Sequence, residues 1–230
     1  MRLLAVGVLG ALRPLTTEEP SMATEHPAPR NIRRGAPMLP GRYYHVLNRG
    51  NNRENIFLEE RNYTYFLQLY AKYVLPVADT FAYCLLRNHF HLLIRVKEVQ
   101  ESDSLKESDS SPIHAAFQSL FGTYAKAINK GYGRTGKLFQ EHFARIEVTS
   151  DAYFTNLIFY IHFNPQKHGF VNDWRDWPWS SYSAFMSGQP TQLQRSEVLD
   201  WFGGRERLAE FHRGAVDERM IAPLIAGDFE

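Results

Sequence analysis

The run RNHFHLLIRV, residues 87 to 96, constrains the fold of this chain more than any other segment. It alternates, is rich in Leu, Ile and Val, and reads as a strand with apolar side chains on both faces. Such a strand is expected to be buried on both sides. Successive strand side chains point to opposite faces, so His89 and His91 share one face, about 7 Å apart. Imidazoles buried there are costly unless something satisfies them. Backbone or water can do so, and so can one divalent metal held between the pair.

The 230 residues are enough for one good core with a small appendage. The net charge is +1, so a nucleic-acid signal, if present, must be local. The single cysteine, Cys84, excludes an internal disulfide, fits a reducing, cytoplasmic setting, and lies in the apolar run FAYCLL as a small buried hydrophobe. Residues 3 to 12 are apolar and have the length of a signal h-region, but are too short to span a bilayer. The Pro-rich, charged stretch that follows lacks periodicity. Residues 1 to 40 are read as a disordered extension or as the product of a start placed too far upstream, with Met22 and Met38 as alternative starts. No membrane partner is expected.

From Gly41 the pattern is regular. Arg42 to Leu47 reads as a strand, and 59 to 75 as a helix ended by Pro76. Residues 79 to 86 and 87 to 96 read as antiparallel strands across a tight Arg87-Asn88 turn. The Ser- and acid-rich stretch 97 to 112 reads as a surface loop. Residues 113 to 128 read as a helix, 138 to 148 as a strand, and AYFTNLIFYIHF as a helix with Asp151 as N-cap candidate and a stop at Asn164-Pro165. This order predicts an α+β domain over 41 to 185. It is a ferredoxin-like split βαβ arrangement with an antiparallel sheet, helices on one face and the last helix near the sheet. A helical tail follows over 186 to 230. Trp174, Trp177 and Trp179 are expected to pack this C-terminal part onto the domain.

Tyr160 and Asn164 are four apart on one helix and share a face. If that face meets the histidine strand, two imidazoles, an amide oxygen and a phenol come together. Two nitrogen ligands and a hard oxygen suit Mg²⁺ or Mn²⁺, with water completing the shell. A cation that stabilises charge on phosphoryl oxygens makes a phenol near its free pKa of about 10 a usable nucleophile. The bland readings are two hydrogen-bonded core histidines, a packed tyrosine and a helix-stop asparagine. Tyr124 is a rival nucleophile. For His45, His114, His142, His162 and His168 the default is a surface or hydrogen-bonded histidine.

His-hydrophobic-His on a strand, followed by a helix with Tyr and a polar residue four later, resembles the single-tyrosine transposases of the HUH superfamily. The REP-associated tyrosine transposases are the nearer likeness. It is carried by YHVLNRGNNRENIF (44 to 57), NHFHLLI, YGRTGKLFQEHF (132 to 143), YIHFNP (160 to 165) and WPWSSY (177 to 182). Each segment is weak alone; the five in order make the signal. The resemblance implies His89, His91 and Asn164 as metal ligands and Tyr160 as nucleophile. It also implies cleavage and rejoining of single-stranded DNA near a hairpin through a 5′-phosphotyrosine, and a homodimer.

Two basic glycine loops suit a phosphate backbone: Arg49, Asn51 and Arg53 around Gly50, and Lys130, Arg134 and Lys137 in NKGYGRTGK. Tyr132 could stack on a base. The alternatives are two solvated turns, an HUH replication initiator or relaxase, and a non-catalytic single-stranded nucleic-acid-binding domain. One cysteine and no third clustered histidine argue against a structural zinc site.

Overall fold

The computed structural model describes residues 37 to 98 and 111 to 214. The apolar segment at 3 to 12, nearly all of the expected leader, most of the loop at 97 to 112 and the end of the helical tail lie outside the described residues. Met38 is buried in the core.

The chain runs β1 (Tyr43–Arg49), α1 (Glu60–Tyr73), β2 (Ala78–Leu86), β3 (His89–Val96), α2 (Pro112–Gly131), β4 (Ala144–Glu147) and α3 (Asp151–Lys167). Three short helices follow, α4 (Tyr182–Met186), α5 (Arg195–Phe202) and α6 (Arg205–Phe211). The strands form one antiparallel sheet in the order β2-β3-β1-β4, the arrangement the element order predicts. β4 is shorter than the apolar pattern at 138 to 148 suggests. Leu138, Phe139 and Phe143 are buried, but only an isolated bridge between Gly50 and Phe139 pairs that stretch with β1. Burial there comes from packing on the core, not from a ladder.

The two helices of the split βαβ unit lie on one face, as the sequence predicts, and the last helix packs on the sheet from the other side. α1 and α2 cover the face that carries Tyr44, Val46, Phe90, Leu92 and Ile94, whereas α3 covers the face with Phe81, Cys84, Leu86 and Leu93. β2 and β3 are apolar on both sides, so a bare second face would expose a large hydrophobic patch. α3 suits the position because it is buried almost all round. Phe154, Leu157, Ile158 and Ile161 pack between the sheet and Trp201, Phe202 and Leu208.

The ends of α3 also differ from expectation. Ser150, not Asp151, is the N-cap, its hydroxyl accepting from Tyr153 N at 3.2 Å. Asp151 stands in the first turn, where a carboxylate meets the positive end of the helix dipole. The helix passes Pro165 and continues to Lys167. Pro165 removes one intrahelical donor. Its ring is buried, and the last turn is closed by His168 N on Asn164 O at 3.0 Å and Phe170 N on Pro165 O at 2.9 Å.

β2 is an edge strand, and an open edge invites pairing with another chain. Here the C-terminal part covers it. Leu85 N donates to Trp179 O, Ser181 N to Tyr83 O and Gln194 N to Thr80 O, each at 2.9 Å. Trp179 stacks on Tyr63 with ring centroids 4.6 Å apart, Trp177 Nε1 donates to Leu85 O, and Trp174 is buried. The WPWSSY segment thus works as an edge cover.

A buried hydrogen-bond chain fixes α6. His212 Nδ1 is 2.8 Å from Leu208 O, His212 Nε2 is 2.8 Å from His162 Nδ1, and His162 Nε2 is 2.8 Å from Ser181 Oγ. A carbonyl only accepts, so His212 Nδ1 donates. His162 Nδ1 then donates to His212, and the Ser181 hydroxyl donates to His162. Both imidazoles are therefore neutral. Burial holds His162 well below 6.5 and takes His212 down to about 4. The unfolded chain takes up these protons near pH 6.5 and the folded chain resists them. Stability is thus present above pH 6.5 and falls as the pH drops toward 4. For His212 alone the loss is roughly 3 kcal/mol across that window. Chemical denaturation at pH 7, 6 and 5 measures it; a free energy constant over that range contradicts the proton assignment.

Candidate active site

The α3 face of the sheet carries the candidate site residues. β3 supplies His89 and His91. β1 runs antiparallel beside it, with Leu47 opposite His91 and Arg49 opposite His89, and presents His45 on the same face. Its ring stacks on that of His91, with centroids 5.2 Å apart and His45 Nε2 2.9 Å from His91 Nδ1. α3 lays Tyr160 against this pair, its ring centroid 5.4 Å from His91 and 6.3 Å from His45, nearly edge-on to both. Asn164 lies one turn further on. His168 follows the helix with its ring 4.9 Å from His89, and Lys167 Nζ stands 5.1 Å from the centre of the Tyr160 ring.

The sequence places Tyr160 with the histidines, and the fold brings them together within one chain. Tyr124 goes elsewhere. It is buried on the opposite face and donates to Ile56 O at 2.7 Å. His45, His168 and Lys167 are the members that sequence reasoning missed. His45 shares a strand face with Leu47, but only the β1–β3 register brings it to His91. Cys84 pairs with His91 across the ladder and is fully buried, so desolvation keeps its thiol protonated.

Hydrogen bonds orient the rings. His89 Nδ1 is 2.7 Å from Asn88 Oδ1. An amide oxygen only accepts, so this nitrogen carries the hydrogen and Nε2 carries the lone pair. Asn164 Nδ2 donates to Tyr160 O at 2.7 Å, which leaves Asn164 Oδ1 buried with no hydrogen bond. His91 Nε2 is likewise buried with none. Burial, reinforced by neighbouring positive charge, holds His89 and His91 well below 6.5. Burial takes His45 to about 3, and burial with Lys167 and Arg49 takes His168 to about 4. Neutral imidazoles are the form that binds a metal. Among the described residues no three of His, Cys, Asp or Glu are grouped to hold an ion. A cation here would rest on two imidazole nitrogens and the Asn164 oxygen, a donor set that fits Mg²⁺ or Mn²⁺ with outside oxygens completing the shell. The unsatisfied His91 and Asn164 atoms are consistent with it. Tyr160 itself is only 1% exposed.

The two basic loops, far apart in sequence, are neighbours. Asn51 N donates to Leu138 O and Gln140 N to Arg49 O, each at 2.9 Å, while Gly50 N donates to Asn88 O at 2.8 Å beside His89. Arg49, Asn51 and Arg53 thus adjoin Arg134 and Lys137 at the His89 end of the sheet. The positive charge is less open than the linear sequence suggests. Arg134 is ion-paired with Glu54, and Lys137 lies 3.0 Å from Glu141. Lys130 is exposed at the end of α2. Tyr132 is half-buried, and its hydroxyl bonds to Glu59 and Asn62 at the start of α1. The first loop turns sharply, with Asn52 and Arg53 at positive φ of 54° and 62°. A Cβ on Gly50 would lie 2.0 Å from Glu54 O, which excludes a side chain without backbone movement. Gly50→Ala is expected to cost about 1–3 kcal/mol by overpacking. It should also weaken oligonucleotide binding. A denaturation midpoint and a DNA titration equal to those of the parent would show that the loop tolerates the methyl group.

Among the described residues no helix is long and apolar enough to cross a membrane. No family model matches the chain. A curated protein of Haemophilus influenzae with the provisional name REP-associated tyrosine transposase is 29% identical over 107 residues, which is 45% of this chain. The match spans 58% of that relative's length. A solved structure of a REP-associated tyrosine transposase bound to a REP hairpin superposes with a TM-score of 0.51 at 16% identity, covering 68% of this chain and 87% of that one. That likeness shows the shared fold. Both relatives are of the kind that the sequence motifs resemble.

Proposed function

We propose that this chain is a REP-associated tyrosine transposase that cleaves and rejoins single-stranded DNA beside a hairpin, with Tyr160 as nucleophile. Both relatives support a transposase role, and the solved neighbour's REP hairpin supports hairpin DNA as the ligand. The observation that carries the finer reading is Tyr160 set against His91, with Asn164 one turn on, all from one chain. A homodimer would then hold two such sites, each complete in itself.

In this reading the Tyr160 oxygen bonds to phosphorus as the bond from phosphorus to the 3′ oxygen breaks. The phenol loses its proton, the departing 3′ oxygen gains one, and the products are a 5′-phosphotyrosine and a free 3′-OH. A later 3′-OH reverses the same exchange and rejoins strands. A divalent cation held by His89, His91 and Asn164 would supply positive charge toward the phosphoryl oxygens. Lys167, over the phenol ring, adds fixed positive charge beside the nucleophile. Arg49, Asn51, Arg53, Lys130, Arg134 and Lys137 would follow the DNA backbone.

The 1% exposure of Tyr160 favours a second reading, a non-catalytic nucleic-acid-binding domain that keeps the fold. One assay separates the two. The protein is incubated with a labelled hairpin oligonucleotide and Mn²⁺, and a protein–DNA adduct that survives denaturation is sought. Its formation supports the transposase; tight hairpin binding with neither cleavage nor adduct supports the binding domain.

A further inference from the structure

We propose that Arg87 is a further DNA contact of this site, gripping a backbone phosphate of the unpaired strand next to the phosphate that Tyr160 attacks. The inference rests on the proposed action on hairpin DNA. Arg87 stands in the turn between β2 and β3, two residues before His89, so at most about 7 Å separates the two Cα atoms. The turn is pinned. Arg87 O accepts from Ile56 N at 2.8 Å and from Phe57 N at 3.0 Å, and Asn88 O accepts from Gly50 N at 2.8 Å. The side chain is exposed, and its guanidinium lies 5.8 Å from the centre of the Phe170 ring. Phe170 in turn leads back to the site. Its ring is 6.4 Å from that of His168, which is 4.9 Å from that of His89. Phe170 N donates to Pro165 O, which ties this prop to the helix that carries Tyr160 and Asn164.

Charge sets Arg87 apart from the basic loops at this end of the sheet. Arg134 is taken by Glu54 and Lys137 by Glu141. Among the described residues Arg87 forms no ion pair and no side-chain hydrogen bond; its guanidinium packs on the Phe170 ring. A guanidinium held against a ring has little freedom left to lose on binding, and its N–H fork stays open to phosphate oxygens. A duplex could meet such a cation anywhere along its backbone. The place beside His89 favours the unpaired strand, because the phosphate cleaved there and its neighbours belong to single-stranded DNA. The sequence marks Arg87 only as part of a tight turn; the fold gives it the ring and the open charge.

The test uses the full chain and the fluorescence anisotropy of labelled oligonucleotides, with chelator present so that nothing is cleaved. Two hairpins are compared, one with an unpaired flank and one trimmed to its stem and loop. Arg87→Gln should bind the flanked hairpin roughly 10-fold more weakly and the trimmed hairpin as the parent does. The slope of log Kd against log salt for the flanked hairpin should fall by about 0.7, the share of one phosphate contact on a single strand. Arg87→Lys keeps the charge and should keep that slope. Methylphosphonate linkages, which are neutral, are then placed singly along the flank. One of them should weaken the parent by the same factor and have no further effect on Arg87→Gln. Additive losses at every linkage overturn the inference, and so does an equal loss on the trimmed hairpin. If the parent binds neither hairpin, the hairpin-DNA reading fails and this inference with it. If the parent and Arg87→Gln bind the flanked hairpin equally well, only the role of Arg87 is wrong.

Discussion

Tyr160→Phe is expected to abolish the covalent protein–DNA adduct, with a fall of more than about 10³-fold in the rate of hairpin cleavage, because no other group replaces a missing nucleophile. The variant removes one oxygen from a ring packed against His91 and His45, and leaves the apolar contacts of α3 in place. Its thermal unfolding should therefore stay close to that of the parent, a hydrogen-bond effect of about 1 kcal/mol. Tyr124→Phe is the matched control. It loses a buried hydrogen bond to Ile56 O and about 1 kcal/mol of stability, yet should form the adduct normally. An adduct that persists in Tyr160→Phe and disappears in Tyr124→Phe would reverse the assignment.

His89→Ala and Asn164→Leu are expected to shift the Mn²⁺ dependence of adduct formation to at least about 10²-fold higher concentration, since each removes one of the three proposed protein donors. Chelation should stop the parent reaction, and added Mn²⁺ should restore it. Asn164→Gln keeps an amide oxygen one methylene further out and should retain part of the activity that Asn164→Leu loses. Asn164 also donates to Tyr160 O, so thermal unfolding of both variants tells whether α3 has loosened. Identical Mn²⁺ titrations for parent, His89→Ala and Asn164→Leu would remove the metal from the reading.

The parts of this site legible in the sequence are those set by local periodicity. Alternation along 87 to 96 puts His89 and His91 on one face, and helical spacing puts Tyr160 and Asn164 on another. What the sequence does not carry is which surfaces meet. The face chosen by α3 depends on apolar residues scattered over β2, β3, α5 and α6, so the sequence puts this helix near the sheet without telling which side it takes. His45 looks like an ordinary strand residue until β1 is set in register with β3. Charge behaves in the same way. The stretch 122 to 140 has no acidic residue of its own, yet the fold sets Glu54 against Arg134 from eighty positions away. The Tyr132 hydroxyl, between two glycines in the sequence, bonds to the cap of α1. Pro165 shows the reverse, a strong local stop signal overridden by burial and by bonds that close the last turn.

The strand order β2-β3-β1-β4 bears on how the protein comes to exist. β2 and β3 are joined by a tight turn and can zip as soon as both are made, whereas His45 and His91 are 46 residues apart and meet only when β1 closes a long loop. Non-local strand pairing is slow, because the chain loses entropy before contacts compensate. Tyr160 and Asn164 arrive later still, on a helix made after all four strands. A half-synthesised chain therefore holds its histidines with no Tyr160 beside them. Competence to cut DNA would appear as a late event of folding, after the ribosome has released the whole domain.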